Sequence, residues 1–176
     1  KVLVNLEISM NDKIVKNALK IKPNFICIVP ENRQEITTEG GLNLEKNLKK
    51  LKKIIQKFKK AKIRTSLFVD PTIKDIKLSK ELNVDCVEIH TGKISNLVKL
   101  NKNYKNELNR IQKSVILASK FNIEVHAGHG LDYKTTKILT KIEEIQEFNI
   151  GHFIIGESIF FGLKKVIKNF KKIIKH

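Results

Sequence analysis

The sequence has no tryptophan, one methionine, two cysteines and two tyrosines among its 176 residues. Cys27 and Cys86 each lie within an apolar run, so we expect them to be small buried residues rather than a disulfide or a metal site. No apolar run approaches the roughly 18 residues that cross a membrane. These absences exclude disulfide-stapled and membrane-spanning proteins, predict no metal centre and fit a cytoplasmic protein.

The formal net charge is +17, from 35 basic and 18 acidic residues. Only Arg33, Arg64 and Arg110 are arginine, the residue whose planar fork reads bases and phosphates. Lysine, asparagine and isoleucine are abundant together, as AT-rich codons produce. We therefore expect no nucleic-acid partner. A basic protein that binds RNA or an acidic surface remains the alternative from another class, and a steep salt dependence of RNA affinity would indicate it.

Short β-branched runs alternate with amphipathic segments along the whole chain. Such near-continuous apolar runs are typical of parallel strands covered by helices. The predicted strands are Val2–Ile8, Phe25–Val29, Thr65–Val69, Cys86–Ile89, Ile123–Ala127 and Glu147–Ile150.

Helical spacing of apolar residues predicts the intervening helices. Asn43 is the candidate N-cap for a helix carrying Leu44 to Phe58. Asp70-Pro71 is predicted to begin another helix, with Asp70 as its cap. The remaining predicted helices are one long helix from Leu97 to Ala118, then Tyr133–Ile142 and Leu163–Ile174.

Six strand–helix units in alternation predict a parallel α/β fold. Six units could also form a complete doubly wound sheet, but the Gly-rich dinucleotide-binding motif expected after its first strand is missing. A (β/α)8 TIM barrel needs eight units and typically about 250 residues. We expect residues 1–176 to form one TIM-barrel domain holding about the last six units, with the first two βα units upstream of Lys1.

Polar residues follow the apolar strands at their carboxyl ends, where barrel enzymes carry their catalytic residues. Glu7 would have a raised pKa if buried, as a general base needs, or else be a solvated or salt-bridged carboxylate. Glu88 and His90 are two residues apart and share a strand face, as a proton-relay pair or a polar layer. His129 lies between two glycines and faces a ligand or anchors the loop. His126 is read as structural.

Two glycine-containing segments are candidates for phosphate binding. The first is the loop Ile36–Gly41, where Thr37 and Thr38 precede consecutive glycines; the alternative is an ordinary turn. The second is Gly151-His152, ahead of a possible short extra helix at Phe153–Phe161. Barrels commonly bind phosphate with the loops after strands 7 and 8 and such a helix N-terminus. An ordinary tight turn is the alternative there too.

Taken together, these segments resemble the pyridoxine 5′-phosphate synthase family. The matching stretches run in family order across the chain. They are Asn5–Glu7, Lys22–Phe25, Val29–Glu35, Thr37–Leu42, Ser66–Asp70, Glu88–Gly92, Ala127–Leu131 and Asn149–His152. One short motif would be uninformative, but this ordered set is specific.

The resemblance implies a TIM-barrel transferase of vitamin B6 biosynthesis. The reaction would condense 1-deoxy-D-xylulose 5-phosphate with 3-amino-2-oxopropyl phosphate, giving pyridoxine 5′-phosphate, phosphate and water without metal or cofactor. By the same resemblance Glu7 is the general base, His129 the proton donor and Glu88 the carboxylate that stabilises charged intermediates. The resemblance also assigns the substrate contacts, with Thr37 on the deoxyxylulose phosphate and Gly130, Gly151 and His152 on the aminoketone phosphate. It further suggests a homo-octamer.

The chain lacks the family's opening strands, which carry an Asn-x-Asp-His motif and a further histidine and arginine. We therefore expect this piece alone to be inactive, with an open seam in its barrel. The alternatives are another phosphate-binding barrel, such as an epimerase or an indole-forming synthase, and an inactive remnant.

Overall fold

In the computed structural model of the chain, residues 2–31 and 40–174 are described. Six parallel strands pair in sequence order and form one curved sheet. The strands are β1 (Asn5–Ile8), β2 (Phe25–Ile28), β3 (Arg64–Val69), β4 (Cys86–His90), β5 (Glu124–Gly128) and β6 (Ile145–Asn149). All six predicted strands are confirmed, with ends that differ by a few residues. β1 and β6 are the edges of the sheet, as expected of a partial barrel.

Helices follow the strands in the alternation that the sequence predicts. They are α1 (Asp12–Ile21), α2 (Leu44–Lys60), α3 (Ile73–Glu81), α4 (Gly92–Lys99), α5 (Lys105–Lys120), α6 (Tyr133–Leu139), α7 (His152–Phe161) and α8 (Leu163–Ile174). The predicted cap is confirmed, because the Asn43 side chain accepts a hydrogen bond from the Lys46 backbone N–H. The extra helix after the last strand is confirmed as α7. The sequence patterns did not single out α1.

The long helix predicted from Leu97 to Ala118 is wrong, because α4 ends at Lys99 and α5 begins at Lys105. Asn101 lies between them with φ +53°, a left-handed backbone that ends a helix and that asparagine tolerates. The apolar spacing continues across the break because both helices place apolar residues against the same core, at Val98 and Ile111. Periodicity alone therefore cannot show the interruption.

The predicted cap of the third helix is also wrong. Thr72, not Asp70, precedes α3, and its hydroxyl oxygen accepts a hydrogen bond of 3.0 Å from the Asp75 backbone N–H. Pro71 is therefore outside the helix. The Asp70 carboxylate does not cap α3 and contacts His90 instead.

Replacing Thr72 with alanine is expected to lower the free energy of unfolding by about 1 kcal/mol, because the first turn of α3 loses its acceptor. Urea unfolding followed by circular dichroism measures this change. Thr140→Ala is the matched control, since the Thr140 hydroxyl donates to the Lys137 carbonyl at an exposed position and caps no backbone N–H. An equal loss in both variants would contradict the assignment of the cap.

The two faces of the sheet differ in character. The outer face carries apolar side chains such as Leu67, Val87 and Val125, which pack against the helices. The inner face carries polar residues that alternate with them along the strands. The fully or nearly buried ones include Ser66, Glu88, His90 and His126. Buried polar groups are costly unless paired, so the inner face is where a functional site is expected.

Apolar surface is exposed on α7, where Ile159 and Phe160 are 78% and 80% exposed and no residue is buried against the described parts of the chain. None of the helices within residues 2–31 and 40–174 has the length and apolar character to span a membrane.

Candidate active site

Glu88 lies at the centre of the inner face, near the carboxyl end of β4, with 5% of its surface exposed. Its Oε2 accepts a hydrogen bond of 2.8 Å from the Asn149 side-chain amide and one of 3.6 Å from the Cys27 thiol. Burial raises the pKa of Glu88 to about 7, and the charge of Glu7 adds to this effect, while the Asn149 amide opposes it. A carboxyl group that titrates near neutrality can hold or release a proton under physiological conditions.

Gly128, at the end of β5, makes room for this carboxyl group. A Cβ atom built on Gly128 would overlap the Glu88 Oε1 atom and lie 2.8 Å from Cδ. The predicted sharing of a face by Glu88 and His90 is confirmed, since both side chains are buried on the inner face. The short motifs around Glu88 and Gly128 therefore pack against each other.

Three rings lie together above Glu88 on adjacent strand ends. The His90 and His129 ring centroids are 5.0 Å apart, and Phe68 lies edge-on to them at 5.2 and 6.3 Å respectively. Gly92 allows this packing, because a Cβ there would lie 2.8 Å from His90 Nε2 and 2.9 Å from His129 Cδ2. The ring cluster of Phe68, His90 and His129 thus brings a second histidine to the predicted proton donor.

His129 has φ +78°, a left-handed backbone that non-glycine residues rarely adopt. The Thr91 hydroxyl holds this turn, because its oxygen lies 2.7 Å from the carbonyl oxygens of both Gly128 and His129 and its single proton is shared between them. Such strain is characteristic of functional sites, where the surrounding structure must maintain it. The expectation that His129 is held at the site is consistent with this geometry.

Glu7 differs from the sequence-based expectation, because it is exposed rather than buried. It lies on β1, an edge strand, and pairs in register with Cys27. This register places Glu7 on the same face as Cys27, whose thiol donates to Glu88, and the charge of Glu7 raises the pKa of both groups. The structure thus brings Glu7 close to Glu88 without the burial that was expected to activate it.

The candidate phosphate contacts are described only in part. Thr37 lies outside the described residues. Gly130 has φ +74°, and a Cβ there would lie 3.1 Å from the Ser95 Cβ. Gly151 and His152 are exposed at the start of α7, whose first backbone N–H groups can bind an anion. Ring contacts of 4.9 Å between Tyr133 and Phe153 hold the starts of α6 and α7 together.

Sequence reasoning missed three participants, which are Asn149, Cys27 and Asp70. Asn149 stands in the sequence only within a motif, and the sequence predicts Cys27 as a plain buried residue, which it is by exposure. Their hydrogen bonds to Glu88 each join residues 61 positions apart. The polar residue that ends an apolar strand was the available signal for Asn149.

A separate polar cluster lies at the opposite end of the inner face. Arg64 donates to Glu124 at 2.6 Å and to the Cys86 sulfur at 3.4 Å, while His126 lies 2.8 Å from Glu124. Atoms of Cys86, Glu124 and His126 that could ligate a metal ion lie within 4.8 Å of one another. The guanidinium already supplies the cation there, and burial raises the pKa of the Cys86 thiol to about 12. The structural role predicted for His126 is consistent with this ion-paired network.

A parallel sheet with acid–base side chains gathered at its carboxyl end defines a class, the enzymes of the TIM-barrel type. Comparison with known families identifies the family within this class of enzymes. The family described as pyridoxal phosphate biosynthesis protein PdxJ matches residues 1–176. The chain belongs to this family, and so to vitamin B6 biosynthesis.

Relatives agree with the family match. The chain is 68% identical over 173 residues to the pyridoxine 5′-phosphate synthase of Pelagibacter ubique, covering 98% of this chain and 72% of the relative. It is 44% identical to the synthase of Zymomonas mobilis, covering 97% of this chain and 66% of that protein. The chain therefore spans about two thirds to three quarters of the length of these relatives.

Solved structures of similar shape support the fold alone. The tryptophan synthase α-subunit of Pyrococcus furiosus superimposes with a TM-score of 0.62 at 12% identity, covering 98% of this chain and 66% of that one. A putative fructose-1,6-bisphosphate aldolase of Coccidioides immitis gives 0.58 at 13%, covering 98% and 68%. The TIM-barrel fold class is thereby confirmed.

Proposed function

We propose that the protein is a pyridoxine 5′-phosphate synthase that condenses 1-deoxy-D-xylulose 5-phosphate with 3-amino-2-oxopropyl phosphate. Family membership supports this activity. The single observation that carries it in the structure is the Glu88 carboxyl group, with a pKa near 7 beside the ring cluster. Imine formation, dehydration and ring closure each move protons, so groups that titrate near neutrality suit this reaction.

The proposed roles are those that the family resemblance assigns. His129, on its strained turn, donates protons to leaving oxygen atoms, and Glu7, exposed on β1, accepts them from carbon or nitrogen. Glu88 stabilises the cationic intermediates when it is ionised. Thr37 would bind the deoxyxylulose phosphate, and Gly130, Gly151 and His152 the aminoketone phosphate. The free N–H groups at the start of α7 support this last assignment.

The proposed function also concerns the complete barrel, its oligomeric state and its compartment. Six strands are two short of the eight that close a TIM barrel. We propose that residues 1–176 belong to one such barrel, that two further βα units complete it, and that the protein acts on phosphorylated small molecules in the cytoplasm as a homo-octamer. The exposed apolar face of α7 supports burial against further protein.

His129→Asn tests the proposed reaction in protein purified from its complete reading frame. Asparagine tolerates the left-handed backbone but cannot act as a proton donor near neutral pH. We expect the wild type to form pyridoxine 5′-phosphate and the variant to lose activity by at least about 100-fold. Product is measured by its fluorescence after chromatographic separation.

Lys62→Asn is the matched control, because it places the same residue at another left-handed position, φ +59°, on the surface. It should retain wild-type activity. Absence of product from the wild type, with other sugar phosphates raising its melting temperature, would instead favour a different phosphate-binding barrel.

A further inference from the structure

The side chain of Asp70 is directed to His90. Its Oδ1 lies 3.3 Å from His90 Nδ1, and this contact is the main cause that holds the pKa of Asp70 below its usual range. An ionised carboxylate only accepts hydrogen bonds, so the uncharged form of the His90 ring that makes this contact carries its proton on Nδ1. His90 Nε2 is then left with a lone pair and no proton.

This second nitrogen of His90 is buried and has no hydrogen-bond partner within the described part of the chain. It faces Gly92 on the side where the His129 ring packs, at the 5.0 Å ring separation. A buried polar atom without a partner costs free energy. Its retention at the site is explained if it acquires a partner during the reaction.

Asp70 is also attached to the segment that precedes α2. The Gly41 backbone N–H donates to its carboxylate, and Leu42 N–H donates to the Phe68 carbonyl at 2.8 Å. A side chain on Gly41 would overlap the Val69–Asp70 backbone. One carboxylate therefore joins the ring cluster to the backbone of Gly41, in the segment that precedes α2.

We propose that Asp70 and His90 are a positioning pair for His129. Asp70 fixes His90 in the Nδ1–H form, and His90 Nε2 accepts a hydrogen bond from the His129 imidazole when that ring carries its proton. Two imidazoles at this separation bring nitrogen atoms into hydrogen-bond reach when they point at each other, and Phe68 limits other orientations. The inference rests on the proposed role of His129 as proton donor.

The tautomer of His90 is the first test, and it requires no catalytic activity. In protein labelled with ¹⁵N-histidine, two-bond ¹⁵N–¹H spectra at pH 8 should show His90 as the Nδ1–H form. In Asp70→Asn the Nε2–H form should become substantial, since an amide can donate as well as accept. Asp75→Asn is the matched control, because it removes a neighbouring carboxylate on α3 that hydrogen-bonds Thr72 instead. A wild-type Nε2–H form, or an unchanged Asp70→Asn spectrum, would overturn the pair.

Kinetics then separate positioning from mere structure. We expect Asp70→Asn and His90→Asn to lower kcat by about tenfold or more with KM within about twofold of wild type. His90→Gln, whose longer amide reaches the Nε2 position, should recover part of kcat. An unchanged kcat in Asp70→Asn and His90→Asn would refute the inference while leaving the synthase activity intact. A wild type without product would refute the proposed function, and the His90 spectrum would still decide the pair.

Discussion

Glu88→Gln is expected to raise stability at pH 8 while it removes most of the activity. Burial raises the pKa of Glu88 from 4.5 in the unfolded chain to about 7 in the fold. Between these values the folded state binds a proton that the unfolded state has released, so stability falls as the pH rises. The loss begins near pH 4.5, is complete above pH 7 and amounts to about 3 kcal/mol.

The glutamine variant cannot ionise and should lack this fall. Urea unfolding midpoints at pH 5, 6, 7 and 8 measure it: the two proteins should be similar at pH 5 and diverge toward pH 8, with the variant the more stable. Activity should drop by about 100-fold or more, because no negative charge remains to stabilise cationic intermediates. Glu81→Gln, at the exposed end of α3, is the control. Parallel pH profiles for wild type and Glu88→Gln would contradict the assignment.

Gly128→Ala is expected to destabilise the protein by about 3 kcal/mol and to abolish activity. The added methyl group overlaps Glu88 Oε1 and lies 3.2 Å from the Asn149 Cβ. Both neighbours are packed on the inner face, so Glu88 must turn away and lose the hydrogen bond from Asn149. An unpaired buried carboxyl adds to the cost of overpacking.

Gly156→Ala provides the same substitution where nothing lies within 4 Å of the added Cβ. Gly156 lies inside α7, so alanine there should stabilise the helix by about 0.5 to 1 kcal/mol. Thermal unfolding of the two variants should therefore shift in opposite directions. A Gly128→Ala protein as stable as wild type would show that the carboxyl group is not confined as described.

The sequence by itself determined the local order of this protein. Apolar runs located all six strands because parallel strands covered by helices need such runs. Asn43 identified the start of α2 because a cap acts on a backbone N–H only three residues away. The two-residue period of a strand placed Glu88 and His90 on one face. Each of these is a short-range consequence of backbone geometry.

Only the tertiary structure decided what those residues contact. Asp70 resembled a helix cap in the sequence but reaches His90, because Thr72 already caps α3. The partners of Glu88 come from β2 and β6, and strand order rather than spacing brings them together. Glu7 is exposed because β1 lies at a sheet edge. Proton affinities depend on burial and on neighbours distant in sequence, so the chemistry of the site is a property of the assembled sheet.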